Sequence, residues 1–209
     1  MTVPTRAAHS KSPAALLNPE SVRAAALWRL SCSALSVARL RRALLRRAAA
    51  ADLSDGDDSD GNSTAAPEIV MTQYAALVEQ TLRRLCDQGL LDDRAYAVMK
   101  AASLSRRGYG GWAIRTRLRA QGLDEAAIDD ALERTRVDAG ADDSHSLDLA
   151  AALVWARKRR LGPFRPEAMR AERCTRDAAA LLRRGFGSAI AWAVLDMSAA
   201  ETAARQDCP

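Results

Sequence analysis

The chain repeats one pattern of helical segments three times, and this repeat limits the folds open to it. Each copy has an alanine-rich segment ending in basic residues, a segment with an arginine–leucine face, and an apolar segment. The first segments are 24–29, 95–107 and 149–160, the second 39–47, 114–119 and 176–184, and the third 69–86, 125–136 and 188–195. Units of roughly 40 to 50 residues bury little surface alone and should stack on their neighbours. The sequence therefore predicts an all-α fold: three tandem three-helix modules stacked into an elongated, curved array.

Composition and local signals support the helices. The chain has 45 alanines among 209 residues and only 4% aromatics, which favours helices over sheets. Apolar residues recur at helical spacing, as in Ile128, Ala131 and Leu132. Asp92 and Asp124 precede helical patterns and are predicted N-caps. The predicted C-terminal glycines of helices are Gly89, Gly122 and Gly185.

These breaks give the predicted domain organisation. Residues 1–19 are predicted to be a disordered leader, 20–91 module 1, 92–140 module 2, 141–197 module 3 and 198–209 a C-terminal tail. Module 1 carries an acidic insertion at 48–67, rich in Asp, Gly and Ser and predicted to be an exposed loop. Its aspartates faintly resemble a calcium loop. The glutamate that closes such a loop is missing at 64–67, so this interpretation is disfavoured.

Charge is distributed unevenly. The formal net charge is +5, and 28 of the 31 basic residues are arginines, which suit phosphate and carboxylate partners. Residues 21–51 hold seven arginines and no acid, and residues 148–184 hold ten basic residues against four acidic ones. This asymmetry favours an acidic or nucleic-acid-associated partner, and a solvated basic face is the alternative.

Several function classes find no support in the sequence. Arginines interrupt the hydrophobic runs, and residues 1–19 lack a secretory pattern, so a cytoplasmic protein is expected. The four cysteines and two histidines lack the spacing of a zinc site or a disulfide framework. No phosphate-binding loop, nucleophile elbow or metalloprotease helix is found. We therefore predict no enzyme activity, no cofactor and no metal.

Two segments combine basic residues with rigid turns. The first is Arg106-Arg107-Gly108-Tyr109-Gly110-Gly111-Trp112, and the second is Arg157-Lys158-Arg159-Arg160-Leu161-Gly162-Pro163-Phe164-Arg165-Pro166. Each is compatible with an ordinary helix end, where cations complement the helix dipole. The charge density of the second segment exceeds what a helix end requires.

The residues around these turns resemble the regulatory protein RecX family. The similar motifs of the central module are Gly89-Leu90-Leu91-Asp92-Asp93, Arg107-Gly108-Tyr109-Gly110, Ile114-Arg115, Leu118-Arg119, Gly122-Leu123 and the helix 128–133. Those of the last module are Arg159-Arg160-Leu161-Gly162-Pro163-Phe164-Arg165 and Leu182-Arg183-Arg184-Gly185-Phe186. The resemblance covers about residues 20 to 197. It is weaker in the first module, where residues 30–36 replace the family's usual arginine-rich turn and glutamate, and the acidic insertion is atypical.

The resemblance implies an all-helical, non-catalytic modulator that binds along the groove of the RecA recombinase filament on single-stranded DNA. There it would inhibit ATP hydrolysis and strand exchange in recombination and DNA repair. The chain is expected to be a monomer that meets single-stranded DNA directly or through the filament. The alternatives are a basic helical protein whose main ligand is DNA itself, and a helical-repeat scaffold for an unrelated partner. The predicted partner- or DNA-binding residues are Arg106, Arg107, Tyr109, Arg115, Arg119, Arg157, Lys158, Arg159, Arg160, Phe164 and Arg165.

Overall fold

The part of the chain that this computed structural model describes, residues 18–52, 67–198 and 201–202, consists of helices joined by short turns. The helices are α1 (Pro19–Cys32), α2 (Val37–Asp52), α3 (Pro67–Asp87), α4 (Asp93–Arg106), α5 (Gly111–Ala120), α6 (Glu125–Asp138), α7 (Ser144–Arg159), α8 (Arg170–Arg183) and α9 (Ser188–Asp196). Short 3-10 helices at Gly162–Phe164 and Glu167–Met169 connect α7 to α8. No strand occurs within these ranges. The predicted all-α class is confirmed, and the elongated, curved array stays a prediction.

The predicted helix starts are confirmed by their hydrogen bonds. The Asp92 carboxylate accepts the backbone N–H groups of Arg94 at 2.8 Å and Ala95 at 3.0 Å. The Asp124 carboxylate likewise accepts the N–H of Ala127 at 2.7 Å. Each aspartate satisfies donors that the first helical turn leaves without an intrahelical partner.

One predicted boundary differs from the structure. The sequence predicts that the acidic insertion begins at residue 48, but α2 continues to Asp52. The reason is local, because residues 48–51 are four alanines, the strongest helix formers, with no breaker among them. The leader at 1–17, the insertion from 53 to 66 with its calcium alternative, and most of the C-terminal tail lie outside the described residues.

The chain divides into two compact units, residues 1–96 and 97–209. In the first unit, α1, α2 and α3 surround one apolar core. The buried side chains of this core are Val22, Ala26, Leu40, Leu44, Tyr74, Val78, Leu82, Leu85 and Leu91. The Tyr74 hydroxyl donates to the Leu44 carbonyl at 3.2 Å, which satisfies a buried polar group. The Asp93 carboxylate accepts the N–H of Val37 at 2.8 Å and so caps the start of α2.

The second unit contains the core of α7, α8 and α9. Its buried residues are Leu149, Ala151, Ala152, Leu153, Ala156, Leu161, Leu181, Phe186, Ile190, Ala191 and Val194. Helices α5 and α6 of the same unit bury Ile114, Leu118 and Ile128, one side of each amphipathic pattern. Apolar side chains recurring three or four residues apart therefore decide which face of each helix is buried.

None of the helices in the described part of the chain has both the length and the apolar character needed to cross a bilayer.

Candidate partner-binding site

The first basic turn joins α4 to α5. Arg106 ends α4, Arg107 follows it, and both side chains are exposed. Gly108 then adopts a left-handed conformation with φ of 69°, which reverses the chain without a side-chain penalty. Tyr109 follows half-buried, with its backbone N–H bonded to the Leu104 carbonyl at 3.2 Å.

The second basic turn follows α7. Arg157, Lys158, Arg159 and Arg160 are all exposed at the end of this helix. Arg160 has a φ of 53° and a ψ of 52°, a left-handed conformation that is uncommon for a residue with a side chain. Its N–H bonds to the Arg157 carbonyl at 3.2 Å, which closes the last turn. Four cationic residues therefore follow one another at a helix end, where the helix dipole favours positive charge.

The first basic turn packs through glycines against α7 and the turn that follows α8. A Cβ added to Gly110 would lie 2.3 Å from the Gly185 carbonyl oxygen, and one added to Gly108 would lie 2.8 Å from the Trp155 Cβ. The Gly110 N–H also donates to the Arg184 carbonyl at 3.3 Å. We call this contact, formed by Gly108, Gly110, Trp155, Arg184 and Gly185, the glycine seam. Only glycine allows the two backbones to approach so closely.

The Arg184 side chain lies at the centre of the seam. Its Nε donates to the Gly108 carbonyl at 2.7 Å, and its Nη2 donates to the Arg107 carbonyl at 2.8 Å. Its guanidinium carbon lies 3.2 Å from the centre of the Tyr109 ring and 3.8 Å from that of Trp155. Burial lowers the pKa of Arg184, although its two aromatic neighbours provide cation–π contact.

Two more arginines extend this stack outward. Arg117 places its guanidinium carbon 4.1 Å from the centre of the Tyr109 ring, and Arg159 lies 4.8 Å from that of Trp155. Both side chains are exposed. The predicted site residues Tyr109 and Arg159 are thus brought to one stack, and Tyr109 is covered by guanidinium groups.

The structure places two predicted site arginines in ion pairs on α5 and α6. Arg115 contacts Glu125 at 2.9 Å and Asp129 at 2.5 Å. Arg119 pairs with Glu125 through Nε and also through Nη2, the latter at 2.8 Å. The hydrogen bonds from Arg119 lower the pKa of Glu125 to about 2, and Arg115 adds to the effect. The charges of Arg115 and Arg119 are therefore matched by acidic residues of α6.

The second basic turn also contains residues with structural contacts. Arg165 donates to the buried carboxylate of Asp177, which also accepts the N–H of Gly162 at 3.0 Å. Phe164 is partly buried against the apolar core of α7, α8 and α9. The predicted residues that combine positive charge with exposed side chains at the two turns are Arg106, Arg107, Arg157, Lys158, Arg159 and Arg160.

Asp148 is a structural residue that the sequence analysis did not single out. From α7 it accepts the N–H of Gly111 at 2.9 Å, so it caps the start of α5 from 37 residues away. Burial raises the pKa of Asp148, and the Gly111 hydrogen bond and the His145 charge oppose that rise. Arg184, Trp155 and Asp177 were also missed as organising residues. The sequence signal that could have identified Arg184 is its place before Gly185 in a motif that resembles the family's last module.

Among the residues that the structure describes, no group of three or more His, Cys, Asp or Glu side chains could hold a metal ion.

Comparisons with known proteins agree with the motifs in the sequence. The family model described as "RecX, second three-helix domain" matches residues 92–132, which include the first basic turn. A regulatory protein RecX of Myxococcus xanthus (strain DK1622) is 40% identical over 127 residues, 60% of this chain and 64% of the relative. A regulatory protein RecX of Agrobacterium fabrum (strain C58 / ATCC 33970) is 31% identical over 111 residues, 53% of this chain and 54% of the relative. The chain thus spans less than two thirds of either relative.

A solved structure shares the fold. It is titled "Crystal structure of regulatory protein RecX" and matches with a TM-score of 0.51 at 22% sequence identity, over 86% of this chain and 74% of that one. The family model, the two relatives and the shared fold together confirm the resemblance of this chain to the regulatory protein RecX family.

Proposed function

We propose that this chain is a non-catalytic cytoplasmic regulator that binds the RecA filament on single-stranded DNA and inhibits its ATP hydrolysis and strand exchange. The proposal rests on the likeness to proteins named regulatory protein RecX. The observation that carries it is the pair of exposed basic turns joined at the glycine seam, Arg106 and Arg107 on one side and residues 157–160 on the other. A repetitive, negatively charged assembly suits such a surface.

The seam supports binding because it holds the turns in place before a partner arrives. Side chains on rigid turns lose less conformational freedom on docking than side chains on mobile loops. The Arg107 backbone is fixed by Arg184, while the Arg107 side chain remains exposed. Two turns held this way can contact one continuous surface, and a specific interface needs about 1,200 Å² or more.

Inhibition without catalysis follows from preferential binding. ATP hydrolysis in a filament is coupled to rearrangement of its subunits. A ligand that binds one filament state more tightly shifts the population toward that state. A regulator that spans neighbouring subunits would slow hydrolysis and strand exchange in this way.

The test is the DNA-dependent ATPase activity of the cognate RecA titrated with this chain. The parent should inhibit, and the double variant Arg159→Glu/Arg160→Glu should inhibit at least about 10-fold more weakly, because each reversal replaces attraction by repulsion. The matched control is Arg83→Glu/Arg84→Glu, which makes the same charge change on exposed residues of α3. Circular dichroism checks that both variants stay helical.

The outcomes separate the two candidate functions. Equal inhibition by the parent and the Arg159/Arg160 double variant would show that these two arginines do not contact the partner. Trp112 is 69% exposed beside the first basic turn, a position from which a ring can stack on a base. If the parent binds bare single-stranded DNA tightly and ignores RecA, DNA itself is the main ligand.

A further inference from the structure

Arg184 is turned inward, in contrast to the exposed arginines of the two basic turns. Its Nε and Nη2 atoms donate to the Gly108 and Arg107 carbonyls at 2.7 Å and 2.8 Å. Its guanidinium carbon lies 3.2 Å from the centre of the Tyr109 ring and 3.8 Å from the centre of the Trp155 ring. These contacts commit the donor edge and the faces of the group to the protein itself. Arg184 is therefore poorly placed to bind a partner directly.

The same contacts connect the two basic turns. The Arg107 carbonyl belongs to the first turn, and Trp155, one helical turn before Arg159, belongs to the helix that ends in the second. Arg159 also contacts the Trp155 ring at 4.8 Å from its centre. A single side chain thus links the backbone of one basic turn to the helix that carries the other.

A lysine could not replace these contacts. The planar guanidinium donates two hydrogen bonds in one direction while its faces contact the rings, whereas an ammonium group is a compact point charge. The close approach of Gly110 to Gly185 brings the two backbones together. Among the described hydrogen bonds, Arg184 is the only side chain that crosses this contact to reach the Arg107 and Gly108 carbonyls.

We propose that Arg184 is a positioning residue that joins the two basic turns into one preformed docking surface, without touching the partner. The proposal rests on the proposed function and adds the residue on which the rigidity of that surface depends. With Arg184 in place, binding of the partner at one turn positions the other turn against its own part of the partner surface. Without it, the turns act as two weaker sites on a tether, with an affinity limited by their effective concentration.

The first experiment measures affinity for RecA filaments on single-stranded DNA for Arg184→Ala and for the control Arg183→Ala. Arg183 is the exposed neighbour at the end of α8. We expect Arg184→Ala to weaken binding about 10- to 100-fold, while Arg183→Ala stays within about 2-fold. Equal affinities for the two variants would overturn the proposal.

Salt dependence distinguishes positioning from direct contact. Removing a side chain that neutralises a phosphate lowers the slope of log affinity against log salt by roughly 0.7 to 0.9. Arg184→Ala should leave that slope unchanged although affinity falls. A slope reduced by this amount would show that Arg184 contacts phosphate, and the positioning role would be wrong.

Chemical rescue distinguishes positioning from general destabilisation. Methylguanidinium at millimolar concentration should restore binding to Arg184→Ala, because it can occupy the space between the Tyr109 and Trp155 rings. Methylammonium should not restore it, and Arg184→Lys should behave like Arg184→Ala. Equal rescue by methylammonium, or full binding by Arg184→Lys, would reduce the role of Arg184 to its charge and contradict the proposal.

Hydrogen exchange of the chain without a partner tests the positioning role of Arg184 independently of the proposed function. The Gly110 amide should exchange at least about 10-fold faster in both Arg184 variants than in the parent, and at the parent rate in Arg183→Ala. Unchanged protection would overturn the positioning role. If instead protection is lost as expected but the parent does not bind RecA filaments, the seam is correctly assigned and the proposed function is wrong.

Discussion

Arg165 donates two hydrogen bonds to the carboxylate of Asp177, at 3.1 Å from Nε and 2.9 Å from Nη2. The Asp177 side chain is only 3% exposed, whereas that of Arg165 is 21% exposed. The Asp177 carboxylate also accepts the Gly162 N–H, at the start of the short 3-10 helix within the second basic turn. Arg165 is a predicted partner-binding residue, and these contacts also give it a structural role in shaping that turn.

We predict that Arg165→Ala lowers the free energy of unfolding by about 3 kcal/mol, because it leaves a buried carboxylate without its charged partner. Lys158→Ala is the control, since this side chain is exposed on the same basic turn, and it should change stability by less than about 0.5 kcal/mol. Urea denaturation followed by circular dichroism measures both. Equal stabilities would show that the Asp177 carboxylate is satisfied without Arg165.

The close approach at the glycine seam predicts that Gly110→Ala destabilises the chain. The new Cβ would lie 2.3 Å from the Gly185 carbonyl oxygen, and backbone atoms cannot move aside as a flexible side chain can. Overpacking of this kind costs about 2 kcal/mol. Gly187→Ala is the matched control, because a Cβ added to Gly187 would have nothing within 4 Å of it. A melting temperature of Gly110→Ala equal to that of the control would contradict the close contact.

Asp148 provides a test of capping between helices. Asp148→Ala should cost about 1 kcal/mol, since the Gly111 N–H loses its acceptor at the start of α5. Asp148→Asn retains an acceptor oxygen and removes the buried charge, so at neutral pH it should be more stable than Asp148→Ala. Because burial raises the pKa of Asp148 above its unfolded value, this carboxyl group favours folding at low pH. That contribution should fade as the pH rises through the folded-state pKa.

Glu125 should titrate at an unusually low pH. Its pKa is lowered from 4.5 to about 2, chiefly by hydrogen bonds from Arg119. Because the folded-state pKa lies below the unfolded value, the stabilising effect of this carboxylate is complete above about pH 4.5 and is lost as the pH falls toward 2.

Carbon-13 NMR of the side-chain carboxyl group measures this titration directly. Arg119→Gln should raise the Glu125 pKa toward its usual value, whereas Arg134→Gln, which removes a partner of Asp130, should not. A Glu125 pKa near 4.5 in the parent chain would mean that the ion pairs on α5 and α6 do not persist in solution.

The sequence alone determined the helical class, the helix order and the family resemblance. Apolar side chains three or four residues apart set the buried face of each helix, and Asp92 and Asp124 cap helices that begin within three residues of them. Such signals are local, so they can be recognised without knowing how the chain folds. The family resemblance rests on the same local motifs around Gly108 and Gly162.

Tertiary structure decided which basic residues face outward and which serve the fold. Arg184 bonds to Gly108, 76 residues earlier, and Arg165 bonds to Asp177 across a turn and a helix. Arg115 and Arg119 were predicted site residues that pair with Glu125. In the sequence these arginines resemble Arg106 and Arg159, because an arginine side chain is long and its partner depends on which element packs beside it. Pattern and charge locate a basic surface, but only packing shows which charges are already matched.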